Sequence, residues 1–574
     1  MSSRLIRGIR DQLSRETGAS RTPRAGGLRF ALAFPNTYRV GMSSLGFHAV
    51  YRILNDTEGA SCERVFLPDP ETLEDLRRTG ESLLSMETLT PVRDFDVVAF
   101  SVSFEMDYPN LLRTLSLSRM DEVAADRGPD QPLVIAGGPA VTFNPEPLAP
   151  FVDAFLIGEA EEALPGIVRA LTDAPFRDRR ALLRLLSSIE GVYVPSLYRP
   201  LYREDGALSG MEALDGAPGR VRRRWVRRLD EFASTTAILT PDTEFSGMIL
   251  TELARGCGRQ CRFCAAGYAF LPPRARSAES VIAAVRSSED ALGRARVGLV
   301  SASVFDHPSS LPVCAALTDR GREFSISSMR ADALTPEIAE TLRRGGQETL
   351  TIAPEAGSER LRRVLNKVMS DDDVLRAADV AWDAGFRRLK LYYMVGLPTE
   401  APEDIRGIAD LTVRVAGGRA WERVTVSASC FVPKPWTPFQ WAAMDGEKSL
   451  SGKLSVIRCS LGGVKSVEVV GESARDSVAQ GVLARGDRRL REALLAAARE
   501  GVNWRTAFRR GGVDPSFYAT RARDVSEVLP WDHMDLGVRK DYLRREYELA
   551  VLGEPTPPCD VGRCARCGVC ASSP

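Results

Sequence analysis

One short segment constrains this chain more than any other: Cys257-Gly-Arg-Gln-Cys261-Arg-Phe-Cys264, a C-x3-C-x2-C set directly after an apolar strand at 248–253. Three thiols so close on one tight loop converge as soft ligands, the chemistry that holds iron–sulfur clusters. Three ligands leave one iron of a four-iron cluster without a protein ligand. A catalytic cluster needs that open position, whereas structural zinc is closed by four ligands. No fourth Cys or His stands nearby, since the only histidines are His48, His307 and His533.

Around this segment, apolar strands alternate with helices. Strands at 28–34, 96–102, 133–136 and 154–157 are apolar on both faces, with helices at 44–54 and 109–117. Such strands belong to a parallel sheet covered by helices, whose ligands sit beyond the strands' carboxyl ends. A second series of strands, at 248–253, 297–300, 323–327, 349–352, 389–395 and 424–429, alternates with helices at 278–292, 336–343, 371–384 and 401–416. Six such units are too few for the eight-unit closed barrel and fit an open partial one. The expected fold class is α/β in five segments: an N-terminal extension (1–25), a Rossmann-like domain (26–173), a linker or bridging segment (174–246), a partial (β/α)6 barrel (247–444), and a mainly helical C-terminal region with a cysteine-rich tail (445–574).

Lys plus Arg and Asp plus Glu are each 76, so no net field directs the chain to nucleic acid or an anionic membrane. The run Arg220, Arg222, Arg223, Arg224, Arg227, Arg228 beside Trp225 is a local exception. It reads most simply as a solvated face, with an RNA-binding patch as the alternative. No window has the roughly 18 apolar residues of a membrane span. The charged first 26 residues do not resemble a signal peptide, so a cytoplasmic protein without membrane contact is expected. In that compartment the 11 cysteines are not expected as structural disulfides. Cys62, Cys314, Cys430 and Cys459 read as small buried hydrophobes. Cys559, Cys564, Cys567 and Cys570 form a C-x4-C-x2-C-x2-C tail whose four thiolates complete a ligand shell, for zinc or a second iron–sulfur cluster.

Preceded by Glu252-Leu-Ala-Arg255-Gly256, and with Phe263 before its last cysteine, the central loop resembles the cluster loop of the radical S-adenosylmethionine (SAM) superfamily. The resemblance implies a [4Fe-4S] cluster on Cys257, Cys261 and Cys264 whose open iron chelates SAM. It also implies reductive cleavage of SAM to a 5′-deoxyadenosyl radical, with an electron donor such as flavodoxin or ferredoxin. Ser301 and Ser303 stand where the superfamily usually has a Gly-Gly-Glu-like turn for the SAM amino group, although the glutamate is missing here. Ser328, Arg330 and Glu355 look like the third and fourth strand exits, with Glu355 toward the ribose. Gly396, in 396–400, resembles the fifth-strand motif that packs on the adenine, and Phe263 belongs to the same SAM-binding set.

The first domain resembles the cobalamin-binding domain fused ahead of many radical SAM enzymes. The matching turns carry Tyr38, Ser101, Ser103, Gly137, Gly138, Pro139, Thr142, Gly158 and Glu159. The D-x-H-x-x-G motif is absent, so the resemblance implies cobalt bound without a histidine ligand. Segments 431–441 and 529–535 resemble signatures of a bacterial family of B12-binding radical SAM proteins, with Trp436 where a histidine is expected. His533 and Asp535 are the one His and carboxylate pair to test as an acid or base. The implied reaction is cobalamin-dependent methylation of an unactivated centre. The alternatives are a non-methylating radical SAM rearrangement, ring formation or thiolation, and RNA or ribosome modification.

Overall fold

The computed structural model describes residues 3–18, 27–174, 178–561 and 563–570; part of the extension at 1–25 lies outside these. Six strands build the first sheet: β1 (Leu28–Thr37), β2 (Ala60–Leu67), β3 (Val97–Ser101), β4 (Leu133–Gly137), β5 (Ala154–Leu156) and β6 (Val192–Tyr193). Their order is β2-β1-β3-β4-β5-β6, parallel except for β6, which pairs antiparallel with β5. Winding reverses between β1 and β3, so a ligand crevice is expected beyond their carboxyl ends. β6 comes from the stretch read as a bridging segment, so the sheet runs past residue 173.

β2 escaped the sequence reading because its charges are buried. All eight residues are buried, including Glu63 and Arg64. Arg64 pairs with Glu16 and Glu87, each at 2.7 Å. Glu63 accepts hydrogen bonds from the hydroxyls of Ser85 (2.6 Å) and Thr88 (2.7 Å). Buried charge is tolerated when paired in this way.

The second series forms where expected: Ile249–Glu252, Val297–Val300 and Phe324–Ile326 make one parallel sheet, and Thr349–Glu355, Arg388–Val395 and Arg423–Cys430 another. A parallel bridge between Met329 and Ile352 joins the two. The barrel has a seventh strand rather than stopping at six. Val467–Gly471, from the C-terminal region, pairs parallel with Arg423–Cys430.

The arginine run is for the most part the solvated face expected of it: Arg220, Arg222, Arg227 and Arg228 are exposed, and Arg223 alone of the run is buried. Val221–Arg222 pairs with Met534–Asp535. Buried Arg223 donates to the Ala269 and Leu271 carbonyls, and Arg224 pairs with Glu190 at 2.5 Å and with Glu162 at 2.5 Å. The guanidiniums of Arg223, Arg227 and Arg274 lie 5.1 to 5.9 Å from the Trp225 ring. One hydrophobic cluster runs from the first sheet through the barrel into the C-terminal helices, which fixes their strand exits relative to one another.

Candidate active site

The cysteine loop leaves the first barrel strand through a two-residue antiparallel ladder, Ala254–Arg255 with Arg274–Ala275. Gly256, just before Cys257, has φ +80°, and a Cβ there would run into the Phe270 carbonyl oxygen. Only glycine makes that turn without strain.

Each residue between the cysteines is then tied down. Gly258 accepts a backbone hydrogen bond from Cys559 (2.8 Å). Arg259 pairs with Asp306 (2.7 Å). The Gln260 carbonyl accepts from Tyr268 (2.9 Å) and Asn366 (3.2 Å), and its side-chain oxygen accepts from the Tyr542 hydroxyl. Arg262, fully buried, meets Glu546 (3.1 Å) and the carbonyls of Glu554 (2.7 Å) and Val364 (3.2 Å). Phe263 packs against the apolar cluster that contains Leu397, Phe431 and Phe439.

Burial raises all three thiols, that of Cys264 to about 12, and Cys264 lies close enough to feel the charge of both Cys261 and Cys257. Thiolates in such a place need a positive centre to hold them, which suits metal ligation. Among the described residues, no group of three or more His, Cys, Asp or Glu side chains surrounds the position of a single ion. Sulfurs on one zinc sit about 3.8 Å apart, from Zn–S bonds near 2.3 Å. Thiolates on separate corners of a cubane stand farther apart, so the demand on this loop is looser.

Charged groups from the barrel exits face the same loop. Lys367, Arg330 and Glu355 act on the Cys261 thiol, as does the loop's own Arg259. Glu355, at φ +69°, pairs with Lys367 (2.8 Å), and Arg330 is held by both oxygens of Asp332 (2.9 and 2.8 Å). Ser303 donates its backbone N–H to the Ser301 hydroxyl (3.3 Å). The backbone N–H of Gly396 donates to the Glu400 carboxylate at 3.0 Å, which fixes the fifth exit. Ser328 lies on the third exit, directly after Phe324–Ile326. Lys367 and Asp306 were not singled out from sequence. Asp306 offers a carboxylate three residues beyond the Ser301-Ala302-Ser303 turn that lacks the expected glutamate.

Beyond the first sheet lies a mainly apolar cavity of about 380 Å³. Ser101, Ser103, Gly137, Gly138, Pro139, Thr142, Gly158 and Glu159 all line it, as does a floor of Ala99, Ile135, Ala136, Phe155, Leu164 and Ile167. Gly138, at φ +108°, brings its Cα so near β3 that a Cβ would lie 2.6 Å from the Val102 carbonyl oxygen. The Glu159 carboxylate is spent on Arg274 (2.7 Å), Arg255 (2.9 Å) and the Val226 N–H (2.8 Å). Tyr38 is outside the lining: its hydroxyl donates to Glu16 (2.7 Å) and its ring packs on Phe66. The far wall consists of Glu252, Arg255, Phe270 and Val300, from the barrel's first two strand exits and the cysteine loop. One cavity therefore touches both sets of strand ends.

His533 and Asp535 have different surroundings and share no side-chain hydrogen bond among the described contacts. His533 is buried against Tyr193 and Tyr198, 3.5 Å from Glu146, and burial lowers its pKa. The Asp535 carboxylate accepts the Gly537 N–H (2.8 Å) and its backbone joins the two-residue ladder with Val221–Arg222. Trp436 is buried, with its indole N–H donating to the Phe143 carbonyl (3.1 Å). In the tail, Cys559 feels the charge of Cys567, Cys564 and Cys570, and Arg566 donates to the Cys564 sulfur (3.1 Å).

Residues 46–195 match the family model for radical SAM proteins, N-terminal, and residues 251–412 that for the radical SAM superfamily. A protein of Methanocaldococcus jannaschii, described only as uncharacterised, is 29% identical over 465 residues, 80% of this chain and 89% of its own length. A Pyrococcus horikoshii protein named as an uncharacterised methyltransferase is 22% identical over 284 residues, 47% of this chain and 56% of that protein. Among solved structures, the radical SAM methyltransferase TsrM of Kitasatospora setae, with cobalamin and a [4Fe-4S] cluster bound, gives a TM-score of 0.49 at 13% identity, over 73% of this chain and 76% of that one. Among the described residues no helix is long and apolar enough to cross a membrane. The chain thus carries the radical SAM superfamily domain, preceded by the N-terminal domain of radical SAM proteins.

Proposed function

We propose that this chain is a cobalamin-dependent radical SAM methylating enzyme acting on an unactivated carbon or phosphorus centre. Cys257, Cys261 and Cys264 would hold the [4Fe-4S] cluster. Ser301, Ser303, Ser328, Arg330, Glu355 and Gly396 would cradle SAM, joined by Lys367 and Asp306. SAM reduced by one electron at such a cluster yields methionine and a 5′-deoxyadenosyl radical, and cobalamin supplies a methyl group.

The observation that carries this reading is the cavity shared by the two sets of strand exits. Its volume falls in the range of small-molecule sites and suits a flat heteroaromatic arm of cobalamin rather than the whole molecule. The apolar floor favours such a ring. Its far wall brings whatever is held there against the barrel mouth, where SAM would lie. This chain's own contribution is then placement and shielding: the Arg255 and Glu252 network and Phe270 close the gap between the two ligands and keep water out. The relative named as a methyltransferase is in keeping with this reading.

The test is anaerobic purification with added cobalamin, followed by turnover with SAM carrying a deuterated methyl group. Stoichiometric cobalt and label transferred to cobalamin are expected. Formation of 5′-deoxyadenosine with no retained cobalt and no transferred label would reject methylation in favour of another radical reaction.

A further inference from the structure

We infer that the four tail cysteines hold a second iron–sulfur cluster, docked on the cysteine loop as the entry point for electrons. The inference rests on the radical SAM reading of that loop. Its basis is a contact between residues 301 positions apart: the Cys559 N–H donates to the Gly258 carbonyl at 2.8 Å, one residue from Cys257. The Cβ of Cys559 lies so close to Gly258 that a Cβ on that glycine would be 3.4 Å away. Cys559 is thus both a member of the tail set and a neighbour of the loop.

The tail is built to hold this position. Cys567 is buried, and its carbonyl accepts the Arg539 N–H (3.0 Å). Arg566 donates to the Pro557 carbonyl (2.8 Å) and the Pro558 carbonyl (3.0 Å), curling the segment around its own cysteines. Tyr542 spans the gap: it touches Gln260 of the loop and feels the charge of Cys567 and Cys564. An all-thiolate set with no histidine suits iron–sulfur chemistry. A single zinc ion has no redox chemistry to offer the neighbouring loop.

The step balances as a one-electron transfer. A reduced flavodoxin- or ferredoxin-class protein gives one electron to the tail cluster and is oxidised by one. That electron passes to the loop cluster and is consumed in breaking one S–C bond of SAM, with methionine and the 5′-deoxyadenosyl radical as products.

The full-length protein, reconstituted without oxygen, should contain about eight irons per chain and no zinc. Its reduced EPR spectrum should show two signals, only one of which shifts on SAM addition. In the double variant Cys564→Ala/Cys567→Ala, iron should fall to about four. SAM cleavage driven by dithionite should persist, while cleavage driven by reduced flavodoxin should fall by roughly tenfold or more. The milder Cys570→Ser should show the same split. One zinc per chain, a single EPR signal, or loss of both drives in step would overturn the relay. If the wild type cleaves no SAM with either reductant, the fault lies in the reading of the loop itself.

Discussion

Arg262 offers the sharpest test of how the C-terminal region supports the cysteine loop. It sits between Cys261 and Phe263, fully buried, and pairs with Glu546, itself 2% exposed, on the helix Lys540–Leu552. Replacing it with leucine leaves the Glu546 carboxylate in the interior with only the Thr556 hydroxyl, at 2.8 and 2.9 Å. Removing one partner of a buried ion pair costs about 3 to 5 kcal/mol. The carbonyls of Val364 and Glu554 also lose a charged donor, which adds to the cost. Because the chain has several domains, a local readout is preferable to a global melt. Hydrogen exchange across Lys540–Leu552 should accelerate by roughly two to four orders of magnitude in Arg262→Leu. Adding Glu546→Leu should recover part of the loss, since an apolar pair removes the stranded charge. Iron retained on the loop should follow the same order. Unchanged exchange in Arg262→Leu, or a double variant worse than the sum of the singles, would refute the claim that this pair anchors the loop.

Further outcomes follow from the same geometry. Gly256→Ala combines a positive φ with a collision at the Phe270 carbonyl. It should lower loop iron while leaving far-ultraviolet circular dichroism unchanged. Ala136→Phe fills the cavity floor and should weaken cobalamin binding by roughly tenfold or more, with 5′-deoxyadenosine formation retained. Glu355→Ala should raise the KM for SAM with iron content unchanged; an unchanged KM would remove Glu355 from the site. Burial pushes Asp107 up to about 6, against hydrogen bonds from Asn36 (2.8 Å) and Asn110 (3.3 Å). With its folded pKa raised above the unfolded value, this carboxyl favours the fold least once ionised, so stability falls as pH rises from about 4 to 6. Asp107→Asn should therefore stabilise the protein above pH 6, by about 2 to 3 kcal/mol, and leave it unchanged near pH 4. Equal hydrogen exchange across the helix Tyr108–Leu117 at pH 7 in the two proteins would rule this out.

Much of this architecture is legible in the residues themselves. The apolar runs at 28–34, 96–102 and 133–136 declare parallel strands because both faces are buried, and 257–264 declares a metal loop by spacing. β2 is hidden because Glu63 and Arg64 look like surface residues until their partners Ser85, Thr88, Glu16 and Glu87 are known. Val467–Gly471 is hidden because only alternate residues are half-buried at the sheet edge, within a stretch that otherwise reads as helical. The site shows the same division. Residues adjacent to strand exits can be found by position, but Lys367 is known only through Glu355, and Tyr542 only through Gln260, 282 positions earlier. The arginine run divides likewise: its charge density marks the exposed face that Arg220, Arg222, Arg227 and Arg228 form, but not that Arg223 is spent on buried carbonyls.

The account depends most on the loop at Cys257, Cys261 and Cys264. The direct measurement is SAM turnover by anaerobically reconstituted protein with a strong reductant, beside variants with each cysteine replaced by alanine. Equimolar methionine and 5′-deoxyadenosine from the wild type, with none from any of the three variants, is the predicted result. Intact SAM after incubation with a protein that carries its full iron complement would contradict it.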